Sequence, residues 1–240
     1  MDPTGIRSKI QPVTPYRSTT VVTLIIIGLQ IAVAVGTYPF LPPIVPSHWD
    51  AAGNVNGYMP KLANAVLVPL MSIGIFLLLR VLLAVSPRLG NQDPHAMQRV
   101  IGLLLVGILL FMLVMQIITL AVALGLPMNV SFVINLAASI LFIFIGNYMG
   151  KLQRNFWAGI RTPWTLASDI VWERTHRLGG WLFVGAGVLG MITTFIPPLR
   201  TWGVVGLVLI VSAILVVYSY VVYRQIETSG RNPLSPPFDA

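Results

Sequence analysis

Two short stretches hold most of the residues in this chain that could do chemistry. The first runs Pro46-Ser47-His48-Trp49-Asp50, then through Asn54-Val55-Asn56-Gly57-Tyr58 to Lys61. An imidazole two residues from a carboxylate could begin a metal site, and Asn54 to Gly57 has a faint likeness to a calcium loop. One carboxylate is too few for the oxygen cage that Ca²⁺ requires, and one imidazole is too few for zinc. The reading that needs no missing ligand is a hydrogen-bonded His48 and Asp50 that fix the shape of a loop. The second stretch opens on Lys151-Leu152-Gln153-Arg154-Asn155 and continues through Gly159-Ile160-Arg161-Thr162-Pro163-Trp164-Thr165. It closes on Trp172-Glu173-Arg174-Thr175-His176-Arg177. Glu173 and His176 stand at the Glu-x-x-His spacing of di-iron bundles, which need that motif twice and further carboxylates. Asp93, Asp169 and Glu227 are the other acids expected near that face, and none has a second histidine at this spacing. An i,i+4 ion pair between Glu173 and Arg177 accounts for the same residues without a metal. Arg161, between Gly159 and Pro163-Trp164, is placed to hold a planar, bidentate partner.

The elements that must position these residues follow from composition. The 240 residues include 7 acids, 3 histidines and no cysteine, which excludes thiolate ligands, disulfides and cysteine nucleophiles. Hydrophobic residues make up 56% and charged residues 9%, whereas a soluble domain carries about 25% charge. The chain is therefore expected to lie in a membrane. A formal net charge of +8 would serve nucleic acid only if gathered on one soluble face, and no soluble domain supplies one. No catalytic constellation emerges either, so the expectation is a non-enzyme without a cofactor and without direct nucleic-acid binding.

The fold class expected is an all-α polytopic membrane protein with six transmembrane helices. Charge-free runs cover Ser18–Trp49, Leu62–Leu79, Val100–Gly150, Leu178–Leu199 and Thr201–Tyr223. A span needs about 20 apolar residues, so the third run holds two, divided at Gly125-Leu126-Pro127-Met128-Asn129, where Gly, Pro and Asn mark a turn. Pro39, Pro42, Pro43 and Pro46 end the first. The spans read as 18–38, 62–85, 99–124, 131–150, 179–197 and 202–223. Ser168 can cap a further short helix, with Asp169 in its first turn. Gly146 with Gly150, and Ala186 with Gly190, have the spacing of close helix contacts, although glycine is common in membrane helices in any case. Gln30, Gln116, Asn135 and Asn147 are polar groups at depth, suited to joining helices by hydrogen bonds. Thirteen basic residues fall on one side, among them Arg7, Lys9, Arg88, Arg154, Arg161, Arg177 and Arg231, and only Lys61 and Arg200 on the other. That bias places both termini in the cytoplasm. A cleavable signal peptide competes for the first span through Ala32-Val33-Ala34, but apolar residues run on to a spanning length. The tails, rich in Pro, Ser and Thr, have the composition of disordered ends.

Residues 39–61 then form an ordered outer loop and residues 151–178 a basic, aromatic inner loop suited to anionic membrane lipid. The outer stretch Pro46-Ser47-His48-Trp49-Asp50-Ala51-Ala52-Gly53, with Asn56-Gly57-Tyr58 and Lys61, resembles the DUF1648 signature. The inner stretch Asn155, Gly159-Ile160-Arg161-Thr162-Pro163-Trp164-Thr165-Leu166, Trp172 and Thr175-His176-Arg177-Leu178-Gly179-Gly180 resembles that of the SdpI family. The resemblance implies a tail (1–17), a DUF1648-like region (18–98), an SdpI-like four-helix region (99–223) and a second tail (224–240). It also implies a multi-pass immunity and signalling protein of the bacterial cytoplasmic membrane. Its partners would be a secreted toxin peptide and a cytoplasmic repressor held at the membrane. The toxin-facing candidates are then His48, Trp49, Asp50, Asn54, Asn56, Tyr58 and Lys61. The cytoplasmic partner surface or structural motif is Asn155, Gly159, Arg161, Thr162, Pro163, Trp164, Trp172, Glu173, His176 and Arg177.

Two other functions compete. A membrane metalloprotein or enzyme would use His48 or the Glu173/His176 pair. A small-solute transporter is opposed by the lack of acidic residues in the spans and of visible repeats.

Overall fold

The computed structural model describes residues 17–50, 53–85, 94–200 and 202–229. The positions Arg7, Lys9, Ala51, Ala52, Arg88, Asp93 and Arg231 lie outside the described residues, as do the segments 1–16 and 230–240. Six long helices form the frame: α1 (Arg17–Thr37), α2 (Lys61–Val85), α3 (Pro94–Ala123), α4 (Val130–Met149), α6 (Asp169–Thr194) and α8 (Gly203–Thr228). Each is long and apolar enough to cross a membrane. Short helices α5 (Pro163–Ala167) and α7 (Pro197–Arg200) sit in two of the connections. The chain is thus a mostly helical polytopic membrane protein.

Local chemistry sets the helix ends. α3 stops in a Schellman arrangement: Gly125 takes φ +82°, its N–H donates to Val122, and the Leu126 N–H reaches Ala121. Glycine alone enters that conformation without a Cβ penalty. Asn129 then caps α4, its Oδ1 accepting from the Phe132 N–H at 3.0 Å. Ser168 caps α6 through the Val171 N–H. α6 is not a short loop helix followed by a separate span, because the two merge into one helix of 26 residues. The expected boundary at 179 reflected the charges of Glu173, Arg174 and Arg177, which the first turns of this helix carry on an exposed face.

The long helices fall into two sets. α1, α2 and α3 pack together, α4, α6 and α8 pack together, and α3 against α4 joins them. In the first set, Ile26 and Ile27 of α1 meet Leu105 and Leu109 of α3. Two buried amides reinforce that seam: Gln116 Nε2 donates to the Gln30 carbonyl at 2.9 Å and Gln30 Nε2 to the Leu109 carbonyl at 3.3 Å. Asn135 bonds within its own helix, to the Ser131 carbonyl, and Asn147 is exposed, so neither joins helices. The second set is held by small residues. A Cβ at Gly146 would stand 2.8 Å from the Gly180 carbonyl oxygen, and one at Gly187 would stand 2.7 Å from that of Ser139. Gly190 lies against Ser139 and Val204, whereas Gly150 has ordinary clearance.

The fold is not purely helical. Between α1 and α2, β1 (Ile44–Trp49) and β2 (Val55–Pro60) pair as an antiparallel hairpin. Prolines exclude a helix here, and Ile44, Val45, Trp49, Val55 and Tyr58 are strand formers. The loop was expected to be ordered, but the pairing of its two arms was obscured by Pro46, Pro60 and Gly57 within them.

Candidate functional site

The hairpin is fastened at three places. At its base, Lys61 donates to the Leu41 carbonyl (3.5 Å) and lies over the Tyr38 ring (4.6 Å). In the middle, Val45 is fully buried against Leu41 and Leu120 of α3. At the tip, Asp50 organises the turn: its Oδ1 accepts from the Asn54 N–H at 2.9 Å and its carbonyl from the Gly53 N–H at 3.0 Å. Gly53 takes φ +87° and presses on Ser131 of α4, where an added Cβ would meet the Ser131 Oγ at 2.6 Å. The hairpin therefore bridges from α2 across α3 to the first turn of α4.

Register shifts around His48 turn its ring toward β2. His48 Nδ1 donates to Asn56 Oδ1 at 2.6 Å, while Asp50 is engaged with Asn54 through both carboxylate oxygens. The expected His48–Asp50 pair thus becomes two separate pairs. The bulge moves the partner of His48 from its own strand to the opposite one. His48, Asn54, Asn56 and Tyr58 are exposed, and Trp49 lines a cavity beneath the hairpin.

At the opposite end, between α4 and α6, the second polar stretch is closed on itself. Asn155 is buried and makes four bonds: its Nδ2 donates to the Gln153 and Ala158 carbonyls, and its Oδ1 accepts from the Trp157 and Ala158 N–H groups. Thr162 and Thr165 form a reciprocal capping box on α5, with Pro163 in the first turn, where its missing N–H is harmless. Trp164 Nε1 donates to Ser219 Oγ on α8 at 2.5 Å, and Trp172 Nε1 to the Leu152 carbonyl at 2.7 Å.

His176 is the keystone. It is buried and stacked on Trp172 with ring centroids 3.9 Å apart. Its Nδ1 donates to the Trp172 carbonyl at 2.8 Å and its Nε2 accepts from the Ile160 N–H at 3.0 Å. Both nitrogens are occupied, which assigns a neutral ring and leaves no lone pair for a metal. Gly159, at φ +107°, lets the backbone pass against this ring, where a Cβ would collide with His176 Nε2. Glu173 is exposed and lies 3.9 Å from Arg177, a loose surface pair. The structure therefore separates Glu173 from His176, and among the described residues no three metal-ligating side chains cluster.

Arg161 departs from its expected role. It is exposed and donates to the Phe156 carbonyl at 2.6 Å. The arginine with the planar partner is Arg154, whose Nε lies 2.8 Å from Asp169 Oδ1 and whose Nη1 reaches the Leu166 carbonyl at 2.9 Å. Asp169 was read as a helix-start residue and as one of the acids near that face, and its fifteen-residue separation from Arg154 hid the pair.

With that geometry in place, comparison with known proteins is direct. Residues 151–222 match the SdpI/YfhL protein family. Residues 25–73 match DUF1648, a domain of unknown function. The "Immunity protein SdpI" of Bacillus subtilis (strain 168) is 24% identical over 210 residues, covering 87% of this chain and 98% of that protein. No solved structure matches the chain. The SdpI-family match begins at Lys151, so it contains the whole polar knot together with α6 and most of α8. The DUF1648 match contains the hairpin and the halves of α1 and α2 next to it.

Proposed function

We propose that this chain is a bacterial membrane immunity protein of the SdpI family that protects its cell against a secreted toxin peptide. The observation that carries the reading is the end-to-end similarity to the immunity protein of Bacillus subtilis. The hairpin supplies a fitting surface, because a pre-ordered element loses little entropy on binding. His48, Asn54, Asn56 and Tyr58 are the exposed contacts offered to the peptide, and Trp49 lies below them. Asp50 and Lys61 serve by holding the hairpin's shape.

The proposal includes orientation: the hairpin faces outward, and the arginine-rich end, with both termini, faces the cytoplasm of a multi-pass protein in the cytoplasmic membrane. It keeps the division into a DUF1648-like part (18–98) and an SdpI-like part (99–223). Any cytoplasmic repressor would meet Phe156, Arg161, Glu173, Arg174 and Arg177, which are exposed. Asn155, Thr162, Trp172 and His176 are spent inside the knot and serve such a partner only by shaping that face.

Survival of a toxin-sensitive bacterium expressing the chain, challenged with an SDP-type toxin and with secreted peptides of the source strain, tests the reading. Protection at verified membrane expression is expected. Equal killing of expressing and empty cells would overturn it.

A further inference from the structure

The hairpin roofs a cavity of ≈ 310 Å³. Its floor is α3 and its walls are α2 and α4, which pack on α3 but, among the described residues, not on each other. The side between the first turns of α2 and α4 is therefore not closed by helix packing. Leu67, Met115 and Ile134 make the walls apolar.

The polar groups in this cavity are the informative part. Asn64 and Thr119 line it, and neither side chain has a hydrogen-bond partner among the described residues. Gln116 also lines it, and its Oε1 is buried without a partner although its Nε2 is engaged. The Gln116 oxygen is the costly one to leave unpaired, while Asn64 and Thr119 are open to whatever enters the cavity. No Lys, Arg, Asp or Glu lines the cavity. Ser47 and His48 complete the polar lining, with His48 Nδ1 already engaged by Asn56 Oδ1, so a charged ligand would meet no carboxylate, ammonium or guanidinium there. A hydrocarbon chain would leave the amides and hydroxyl unsatisfied.

We propose that this cavity binds an uncharged, amide-bearing apolar segment of a peptide, entering between α2 and α4 beneath the hairpin. The volume equals the liquid share of about ten waters and lies at the low end for ligand pockets. It suits a dipeptide-sized group, so a longer peptide would insert one segment and lay the remainder on the hairpin. Backbone amides of the inserted segment supply donors and acceptors to Asn64, Thr119 and Gln116, and its side chains face Leu67, Met115 and Ile134. The choice of a peptide over another neutral amphiphile rests on the immunity reading; the neutral amide chemistry rests on the cavity alone.

The test uses the full chain in nanodiscs, with radiolabelled N-acetyl-leucyl-leucinamide as probe and empty nanodiscs as the partition blank. Saturable binding above the blank is expected, reduced at least tenfold in Asn64→Leu and in the nearly isosteric Thr119→Val. The doubly charged N-acetyl-glutamyl-glutamamide should not compete. Thermal melts of both variants show whether they are folded, and Thr119→Val carries the test if Asn64→Leu fails to fold. Absence of saturable binding, unchanged binding in folded variants, or equal competition by octanol would overturn the proposal. Octanol competition would make the cavity a lipid-chain cleft. Probe binding without protection in the survival assay would support the cavity and sink the immunity reading. Protection together with no probe binding would do the reverse.

Discussion

At the scale of single residues, the two histidines described at the polar ends do opposite work. His176 links the loop to the helix through both ring nitrogens, so His176→Ala strands the half-buried Ile160 N–H and removes the stacking partner of Trp172. A loss of about 1–3 kcal/mol is expected for one such orphaned donor, read as a lower melting temperature in detergent. His48 is exposed, hydrogen-bonds Asn56 and borders the cavity under the hairpin. His48→Ala should therefore stay within about 0.5 kcal/mol of the parent while reducing protection in the survival assay. Equal melting temperatures for the two variants would remove His176 from its keystone role. The sequence made these residues visible as a group without revealing their partners. Asn155, Thr162 and Trp172 stood out by type, but whether a polar side chain is consumed internally depends on backbone geometry. The same gap explains why Arg161 attracted attention and Arg154 did not: the deciding neighbour, Asp169, is adjacent only after the chain turns back at Gly159.

At the scale of elements, the six spans were legible because apolar length and charge gaps are one-dimensional properties. The hairpin was not, since strand pairing joins residues across a turn and its alternation was masked by prolines. The α4–α6 seam shows the same limit in another form. Gly146 was visible by spacing, but its counterpart is Gly180 on the next helix, not Gly150 on its own. Without a hydrophobic drive between helices in lipid, close backbone approach supplies the packing, and a side chain at this seam must push the helices apart. Gly187→Val is expected to abolish the folded, monodisperse protein or to lower its melting temperature by more than any other single change discussed here. Gly185→Ala, whose added Cβ meets nothing within 4 Å, should be neutral. The paired melts read the seam directly, and a neutral Gly187→Val would show that α4 and α6 do not meet through glycine.

At the scale of the whole molecule, the structure has two chemically different ends. One carries the hairpin, with Lys61 and Arg200 as its basic residues, and both are engaged: Lys61 with Leu41 and Tyr38, Arg200 with the Thr194 carbonyl. The other carries exposed Arg161, Arg174 and Arg177. Arginines are held in the compartment of synthesis because moving them through the bilayer is unfavourable, and that asymmetry fixes topology. The proposed outward orientation of the hairpin rests on that difference in basic residues. The absence of cysteine from all 240 residues makes the orientation measurable on a silent background. Asn56→Cys and Arg174→Cys both replace exposed residues, one at each end, in otherwise unchanged chains. A membrane-impermeant maleimide should label the Asn56→Cys chain in intact cells and the Arg174→Cys chain only after permeabilisation. The reverse pattern would invert the molecule, place the hairpin beyond the reach of a secreted peptide, and leave the arginine-rich end as the surface facing outward.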